Sequence, residues 1–363
     1  TFNNMESVPD VTIKSPANGT VEVNMNLAAL SGDSDKSTIT LSGTGAGLDI
    51  AYTDDAVAAT AASSVLETVE VVSQSVANTI NDLQLDAVGT TTLKISGDKS
   101  LTISTALDAT VAVIDGSAST GGFTLADISF ASPTVTGGVG ADTITAVGGG
   151  ATESYSMGGG NDSVDFVNTF TGTDVYDGGD GVDTLIVGTG GFSNAGTAST
   201  ISAGLSNVEV LSLTVAGTVS LESDTSINTI AIGTTDTNQT VNFNDGTTQA
   251  YTVSITGDTA SADTINNNSN IQLTLNAYPT DITGATNVTG SAGTTDVLNF
   301  TSLASGTATF DDNNDVFETI NVVAIGTGIA TTLAMPAYDT SGTGGAGVTT
   351  VTINASSLSA TPS

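Results

Sequence analysis

A nine-residue pattern between residues 137 and 186 constrains the fold of this chain more than any other feature. Residues 137–145 read GGVGADTIT and residues 178–186 read GGDGVDTLI, and both match G-G-x-G-x-D-x-U-x, where U is apolar, at every fixed position. Between them lie three degraded copies, at 148–156, 157–165 and 169–177. Five units of one short repeat therefore follow one another, interrupted only by two small insertions.

The eighth position of each unit is apolar, which predicts a shared core. The residues at this position are Ile144, Tyr155, Val164, Tyr176 and Leu185. A unit of nine residues cannot bury a core alone, but stacked units can bury their apolar positions in one continuous stripe. If each unit is a tight turn followed by a short strand, two units form one coil of a solenoid. The glycines suit the turns because they adopt backbone angles that side chains disfavour.

The sixth position of each unit carries an acid. The residues at this position are Asp142, Glu153, Asp162, Asp174 and Asp183. Every second unit lies on the same side of the coil, so we expect Asp142, Asp162 and Asp183 to stack on one side and Glu153 to stack on Asp174. Carboxylates at the strand spacing of roughly 4.8 Å repel one another strongly when desolvated. A cation between them would reverse that repulsion.

The chain supplies almost no positive charge of its own. It has 38 acidic residues and 4 basic ones, all lysines, and no cationic side chain follows Lys99. Histidine and cysteine are absent, so the nitrogen and sulfur ligands that transition metals prefer are missing. Calcium accepts six to eight oxygen ligands in flexible geometry, whereas magnesium requires a tighter octahedron. We therefore predict several Ca²⁺ ions as folding cofactors.

The predicted metal-site residues are the glycines and acids of the repeat turns. They are Gly137, Gly138, Gly140, Asp142, Glu153, Gly158, Gly160, Asp162, Gly172, Asp174, Gly178, Gly179, Asp180, Gly181 and Asp183. Asp49 and Asp296 stand in isolated motifs of similar composition and are added as candidates. For these two residues, ordinary turn chemistry is an equally good explanation. For the repeat itself, the alternative is a flexible glycine–aspartate linker, but the regular phase of the eighth position argues against it.

The remaining chain is typical of an all-β protein. Hydrophobic residues make up 38% of the chain, which is more than acidic disordered chains contain. Short alternating runs of Val, Ile, Thr and Leu are separated by Gly, Asn, Asp and Ser, the pattern of strands and turns. We expect a parallel β-roll or β-helix block at 136–190, flanked by β-solenoid or β-sandwich modules. The predicted flanking modules are 1–135, 191–285 (with degraded repeats) and 286–363.

Charge and composition exclude several function classes. An acidic surface disfavours nucleic acid and anionic membranes, because both are bound through Lys and Arg. No apolar run is long enough to cross a bilayer, so membrane insertion is not expected. Without His, Cys or Arg, most catalytic arrangements cannot be built, and we predict no enzymatic activity. Paired carboxylates of a carbohydrate-active enzyme are the remaining catalytic alternative, but tryptophan is absent and aromatics are scarce.

The nonapeptides resemble the RTX family, calcium-binding β-rolls of proteins exported by type I secretion. A wider pattern is similar to bacterial RTX-type surface-layer proteins, and it includes the strands VLETVEVV at 65–72 and VFETINVV at 316–323 and the segment IDGSASTGG at 114–122. The resemblance implies an extracellular structural protein that self-assembles with calcium into a two-dimensional surface layer or sheath. Its expected partners are copies of itself and a cell-surface polysaccharide.

The sequence leaves one alternative function open, and its two ends carry expectations of their own. An RTX adhesin, or the repeat region of another type I-secreted protein, would carry the same nonapeptides without forming a lattice. The N-terminal residues TFNNMESVPD have neither the basic nor the apolar region of a signal peptide. The C-terminal segment 349–363 stops within a pattern that also occurs at 111–125, so we expect the chain to end inside a longer array.

Overall fold

The structure is a computed structural model of the 363-residue chain. It describes residues 1–14, 19–32, 34–43, 47–54, 65–85, 88–128, 132–147, 152–167, 170–171, 173–187, 192–193, 199–200, 204–214, 217–221, 226–233, 239–243, 250–255, 264–267, 272–277, 287–289, 297–302, 306–309, 319–324, 331–334 and 350–354.

The regular elements in those ranges are β-strands, apart from a short 3-10 helix at Leu27–Leu30. The strands are β1 (Phe2–Met5), β2 (Val11–Ile13), β3 (Gly19–Met25), β4 (Lys36–Leu41), β5 (Leu48–Asp54), β6 (Thr68–Ser73), β7 (Asn78–Ile80), β8 (Asp82–Gln84), β9 (Thr92–Gly97), β10 (Leu101–Ala106), β11 (Val113–Ser119), β12 (Phe123–Ile128), β13 (Thr134–Thr136), β14 (Thr143–Ala146), β15 (Ser154–Ser156), β16 (Ser163–Phe166), β17 (Phe170–Thr171), β18 (Val175–Asp177), β19 (Thr184–Val187), β20 (Phe192–Ser193), β21 (Ser199–Thr200), β22 (Leu205–Ser206), β23 (Val210–Leu213), β24 (Gly217–Leu221), β25 (Thr229–Ile232), β26 (Gln239–Phe243), β27 (Tyr251–Ile255), β28 (Thr264–Asn267), β29 (Gln272–Ala277), β30 (Asn287–Thr289), β31 (Val297–Ser302), β32 (Gly306–Thr309), β33 (Thr319–Ala324), β34 (Thr331–Ala334) and β35 (Thr350–Asn354).

The strands form a parallel β-solenoid, which confirms the all-β expectation. Each pairing between named strands in the described residues is parallel, as between β3 and β5, β14 and β16, or β31 and β33. Paired strands are usually second neighbours in the chain, because one coil contributes a strand to one sheet and then a strand to another. This arrangement decides between the two flanking architectures that the sequence allowed, since a sandwich would contain antiparallel pairs.

The chain divides into two compact units. Unit 1 comprises Thr1–Asn168, Thr173–Leu185 and Ser206–Val208, and unit 2 comprises Thr169–Gly172, Ile186–Leu205 and Glu209–Ser363. The division into four sequence segments is a different description of the chain and stays a prediction.

In unit 1, three sheets form the walls of the coils. Their strand orders are β1-β3-β5-β8, β7-β10-β12-β14-β16-β19 and β2-β4-β6-β9-β11-β13-β15-β18. In unit 2, the longest sheet has the order β23-β25-β27-β29-β31-β33-β35, and a second sheet has the order β21-β24-β26-β28-β30. Pairs β17-β20 and β32-β34 are shorter additions to unit 2.

The core lies between the sheets and is formed by alternate residues of each strand. In β6, β16 and β19 buried and half-buried positions alternate strictly, as expected for strands with one face turned inward. The eighth-position residues of the five nonapeptides are all buried, which confirms the predicted stripe: Ile144, Tyr155, Val164, Tyr176 and Leu185. In the described part of the chain, no helix has the length and apolar character needed to cross a membrane.

Candidate metal centre

The sixth-position acids lie where each turn passes into the next strand. Asp142 precedes β14, Asp162 precedes β16 and Asp183 precedes β19. Thr143 of β14 pairs with Ser163 of β16, so the acids before them occupy equivalent places in successive coils. The structure thus brings Asp142, Asp162 and Asp183 into the order that the repeat spacing predicts.

Hydrogen bonds join these acids into one column, here called the acidic column (Asp142, Asp162 and Asp183). The backbone N–H of Asp142 donates to Oδ1 of Asp162 at 2.7 Å, and the N–H of Asp162 donates to Oδ1 of Asp183 at 2.7 Å. Each carboxylate therefore binds the backbone of the coil before it. All three acids are at most 1% exposed. The column lies inside the solenoid wall, where bulk water cannot compensate its charge.

The two oxygens of each carboxylate are not satisfied equally along the column. Asp142 receives N–H donors on both oxygens, from Phe123 to Oδ1 at 2.8 Å and from Gly138 to Oδ2 at 3.0 Å. Oδ2 of Asp162 is buried and has no hydrogen-bond partner among the described residues. A buried carboxylate oxygen without a donor is energetically unfavourable, so this position requires a proton or a cation.

The opposite side of the coils holds the second pair of acids. The N–H of Glu153 donates to Oδ1 of Asp174 at 3.1 Å, and Thr134 of β13 pairs with Ser154 of β15. This register places Pro133 in the coil before Glu153, and proline has no N–H to donate. Oε2 of Glu153 instead accepts the hydroxyl of Tyr155 at 3.3 Å, while Oε1 has no partner in the described residues.

Burial raises the pKa of the acids on both sides. It raises the pKa of Asp142 to about 6, although N–H donors from Gly138 and Phe123 favour the charged form. It raises the pKa of Asp162 to about 7, and the neighbouring charges of Asp142 and Asp183 act in the same direction. It raises the pKa of Glu153 to about 7, with the charge of Asp174 as a second cause. At neutral pH without a cation, these groups are therefore poorly stabilised as carboxylates.

Glycines of the repeat allow the turns of successive coils to approach closely. Gly158 and Gly179 have φ values of +87° and +92°, and a Cβ on Gly179 would lie 2.0 Å from the carbonyl oxygen of Gly158. A Cβ on Gly137 would lie 2.7 Å from Oδ2 of Asp142, so this first glycine makes room for the carboxylate. The consensus glycines are thus required by both the stacking of the turns and the placement of the acids.

Backbone hydrogen bonds connect the stacked turns directly. The N–H of Gly159 donates to the carbonyl of Gly138 at 2.9 Å, and the N–H of Asp180 donates to the carbonyl of Gly158 at 2.8 Å. The carbonyl of Asp180 accepts the N–H of Gly160 at 2.9 Å, while the side chain of Asp180 is exposed. Asp180 therefore lies at the outer surface of the same turn stack that contains the buried acids.

The remaining predicted site residues lie elsewhere or cannot be placed. Asp49 is in β5, where its Oδ1 accepts the Nδ2 group of Asn81 at 2.8 Å and its backbone pairs with Asp82 of β8. It is remote in the chain from the repeat and is already hydrogen-bonded. Gly172 and Asp296 lie outside the described residues.

The donor chemistry fits a hard cation, but the described residues do not form a compact ligand cluster. No group of three or more His, Cys, Asp or Glu side chains in them is arranged to hold a metal ion. The available donors are carboxylate and backbone carbonyl oxygens of the turns, which is the donor set that calcium accepts. A bound calcium would thus need turn carbonyls together with one or two carboxylates.

Sequence reasoning missed the residues that precede the acids in the same column. Asn78 of β7 pairs with Leu101 of β10, and Leu101 pairs with Phe123 of β12. Thr124 then pairs with Thr143, which aligns Phe123 with Asp142. The signal was present in the STGGF segment at 119–123, where two glycines precede a strand as in the nonapeptides, but with Phe123 in place of the acid.

Comparisons with protein-family models, with curated proteins and with solved structures found no match. The fold and the geometry of the acidic column are therefore the observations from which function is argued.

Proposed function

We propose that this chain is a structural cell-surface protein that self-assembles with calcium into a surface layer or sheath. In this proposal, calcium binds between the stacked turns of residues 137–183 and makes the solenoid rigid there. The lattice partner is another copy of the chain, and a cell-surface polysaccharide is the expected anchor. Catalysis has no part in the proposal.

The observation that carries the calcium part is the burial of acids without compensating charge. Asp162 and Glu153 are each 1% exposed, and each has one carboxylate oxygen without a hydrogen-bond partner in the described residues. The chain contains no arginine or histidine, and the ion pairs in the described residues join its lysines to other acids. A cation supplies the missing charge, and its binding would stabilise the fold because the site is absent from the unfolded chain.

The donors favour calcium over other metals. Around the acidic column the ligand groups are oxygens, from Asp142, Asp162 and Asp183 and from the carbonyls of the glycine turns. Calcium tolerates an irregular set of such oxygens, whereas magnesium keeps most of its own waters. When bound, calcium would neutralise the buried carboxylates and connect successive turns.

The assembly part is supported by charge and by the resemblance to RTX-type surface-layer proteins. The formal charge of −34 makes copies of the chain repel one another, so close packing needs counterions. Exposed turn acids such as Asp180 provide groups that calcium could bridge between copies. The resemblance adds the expected setting, which is the cell exterior after type I secretion.

Electron microscopy of the purified chain tests the proposal. Ordered sheets or tubes are expected with about millimolar calcium, the affinity range of extracellular calcium modules, and they should disappear with excess chelator. Order that persists after complete removal of calcium would contradict the role of the metal. Dispersed rods under both conditions would favour the RTX adhesin alternative, in which any bound calcium acts within one molecule.

A further inference from the structure

One buried position of unit 1 changes its chemistry from coil to coil. The residues at this position, in the order of the coils, are Asn78, Leu101, Phe123, Asp142, Asp162 and Asp183. All of them are at most 1% exposed. They extend the acidic column toward the N-terminus, and we call the whole series the extended column.

Asn78 forms hydrogen bonds with the neighbouring groups through a neutral side chain. Its Oδ1 accepts the N–H of Gly43 at 2.9 Å, and its Nδ2 donates to Oγ of Ser73 at 2.9 Å and to the carbonyl of Val76 at 2.7 Å. A neutral amide thus binds both the coil before it and the carbonyls of its own turn. A carboxylate at this place could accept the first bond but could not donate the others.

Leu101 and Phe123 need no hydrogen-bond partners at this buried position, because their side chains have no polar atoms. Leu101 is 0% exposed and Phe123 is 1% exposed. Their burial stabilises the coil through the hydrophobic effect and leaves no side-chain group that needs a partner. Coils up to Phe123 therefore contain nothing at this position that requires a metal. Asp127, at a different position of the last of these coils, has a buried Oδ1 without a partner in the described residues, but the residue is only half-buried.

The first acid of the series is fully hydrogen-bonded, whereas the second is not. Both oxygens of Asp142 receive backbone donors, one of them from Phe123 itself. Oδ2 of Asp162, one coil later, has no hydrogen-bond partner among the described residues. The first acid is accommodated by the coil before it, and the second is not.

On the other side of the coils, a buried acid with an incompletely bonded carboxylate also follows coils without buried acids. Glu153 is the first buried acid at its position, which the half-buried Glu67 occupies in an earlier coil, and the coil directly before it contributes Pro133, a buried residue without an N–H. Oε1 of Glu153 has no hydrogen-bond partner in the described part of the chain. On both sides, coils without buried acids are followed by coils with acids that are incompletely bonded.

We propose that the coils up to residue 128 fold without metal and act as a template on which calcium orders the coils of residues 157–187. This inference rests on the proposed role of calcium, and it specifies the part of the solenoid that requires calcium. Solenoid coils depend mainly on their nearest neighbours, so an already folded coil can support the next one. Asp142 is the junction, because backbone donors on both sides of its carboxylate hold it without a cation.

Hydrogen exchange of the full chain, with calcium and with excess chelator, tests the proposal. Amides of residues 88–128 should keep their protection in chelator, with less than about a twofold change in exchange rate. Amides of residues 157–187 should exchange at least about tenfold faster in chelator than in calcium. The peptide that contains Asp142 should lie between the two.

Two substitutions should shift the boundary between metal-independent and calcium-dependent coils in opposite directions. Asp162→Asn places a neutral amide in the column, as at Asn78, and should slow exchange of residues 157–187 in chelator by about tenfold. Phe123→Asp places a buried acid in the template, and exchange of residues 101–128 should become calcium-dependent. Phe123→Leu, which repeats the residue type of the coil before, is the matched control and should leave the boundary where it is.

The outcomes separate this inference from the function on which it rests. If residues 88–128 lose protection together with 157–187 in chelator, the template is wrong but the calcium requirement stands. If chelator changes the exchange rate of neither segment, both the calcium requirement and the template proposal are wrong. If Phe123→Asp does not fold in any condition, the result for Asp162→Asn decides, and unchanged exchange in that variant would overturn the inference.

Discussion

At the scale of single residues, two glycines of one turn stack should respond very differently to alanine. Gly179 has a φ of +92°, and its Cβ would lie 2.0 Å from the carbonyl oxygen of Gly158. Positive φ alone costs an L-residue about 1–2 kcal/mol, and the contact with a backbone carbonyl adds to it. We expect Gly179→Ala to lower the free energy of unfolding by at least about 2 kcal/mol.

Gly159→Ala is the matched control for that substitution. Its Cβ would meet nothing closer than 3.8 Å, and its φ is not in the left-handed region. Its free energy of unfolding should stay within about 0.5 kcal/mol of the wild-type value. Urea unfolding in saturating calcium measures both variants, and equal losses would show that the glycine pattern does not arise from close stacking of the turns.

The pKa of Asp162 predicts how the metal-free chain responds to pH. Burial raises this pKa from 3.8 to about 7, so the folded state retains a proton that the unfolded state has already released. The contribution is fully present below about pH 4 and is lost as the pH rises to about 7, and it is on the order of 4 kcal/mol. In chelator, the urea midpoint should therefore fall over this range.

Asp162→Asn should reduce that fall, because its amide does not titrate. Asp180→Asn removes an exposed acid from the same turn stack and serves as the control, since it should retain the wild-type pH profile. In saturating calcium the fall should be much smaller, because the cation replaces the proton. Identical profiles for the wild type and Asp162→Asn would mean that other carboxyl groups determine the pH response.

At the scale of strands and coils, the eighth-position stripe supplies the core of the repeat block. Leu185 of β19 is 0% exposed, whereas Val182, in the turn before it, is 53% exposed. Leu185→Ala should lower the free energy of unfolding by about 3 kcal/mol through lost burial and a remaining cavity. Val182→Ala should be nearly neutral in the same urea titration, and a comparable loss there would contradict the assignment of the stripe.

Much of the repeat block could be predicted because its period is short and regular. A unit of nine residues with an apolar eighth position predicts parallel strands, and the spacing of alternate units predicts which acids share a side. Tyr155 pairs with Tyr176 and Ile144 with Val164, as that spacing requires. Periodicity determines register here, since a shift by one residue would turn the apolar positions outward.

The hydrogen bonding of the acids could not be predicted from the same pattern. The repeat does not reveal that Asp162 accepts the N–H of Asp142, or that the hydroxyl of Tyr155 reaches Glu153. Those contacts depend on the residue that the previous coil happens to place opposite, such as Phe123 or Pro133. Outside the nonapeptides the spacing in the sequence is irregular. Asn78 and Leu101 can therefore be matched to the acids only from the pairing of the strands.

At the scale of the whole molecule, charge is distributed very unevenly. All 4 lysines precede residue 100, and the ion pairs in the described residues are Lys36–Glu70, Lys94–Asp115 and Lys99–Asp98, all within unit 1. None of the described strands that lie wholly in unit 2 contains a charged residue. Among the described residues of unit 2, the acid is Glu209, which is half-buried and directly precedes β23.

This distribution predicts that salt and calcium stabilise the chain by different routes. Raising NaCl from about 0.01 M to about 0.15 M shortens the Debye length from about 30 Å to about 8 Å and weakens repulsion among exposed acids. In chelator, the urea midpoint should rise over this range. The rise should be smaller in saturating calcium, because bound cations have already reduced the net charge of −34.

Screening by NaCl should nevertheless fail to replace calcium at the acidic column. Asp142, Asp162 and Asp183 are buried, and mobile ions screen exposed charges far more than buried ones. At about 0.15 M NaCl in chelator, the urea midpoint should therefore rise while the exchange of residues 157–187 stays fast. Slow exchange of this segment in NaCl alone would mean that general repulsion, rather than a bound cation, controls its order.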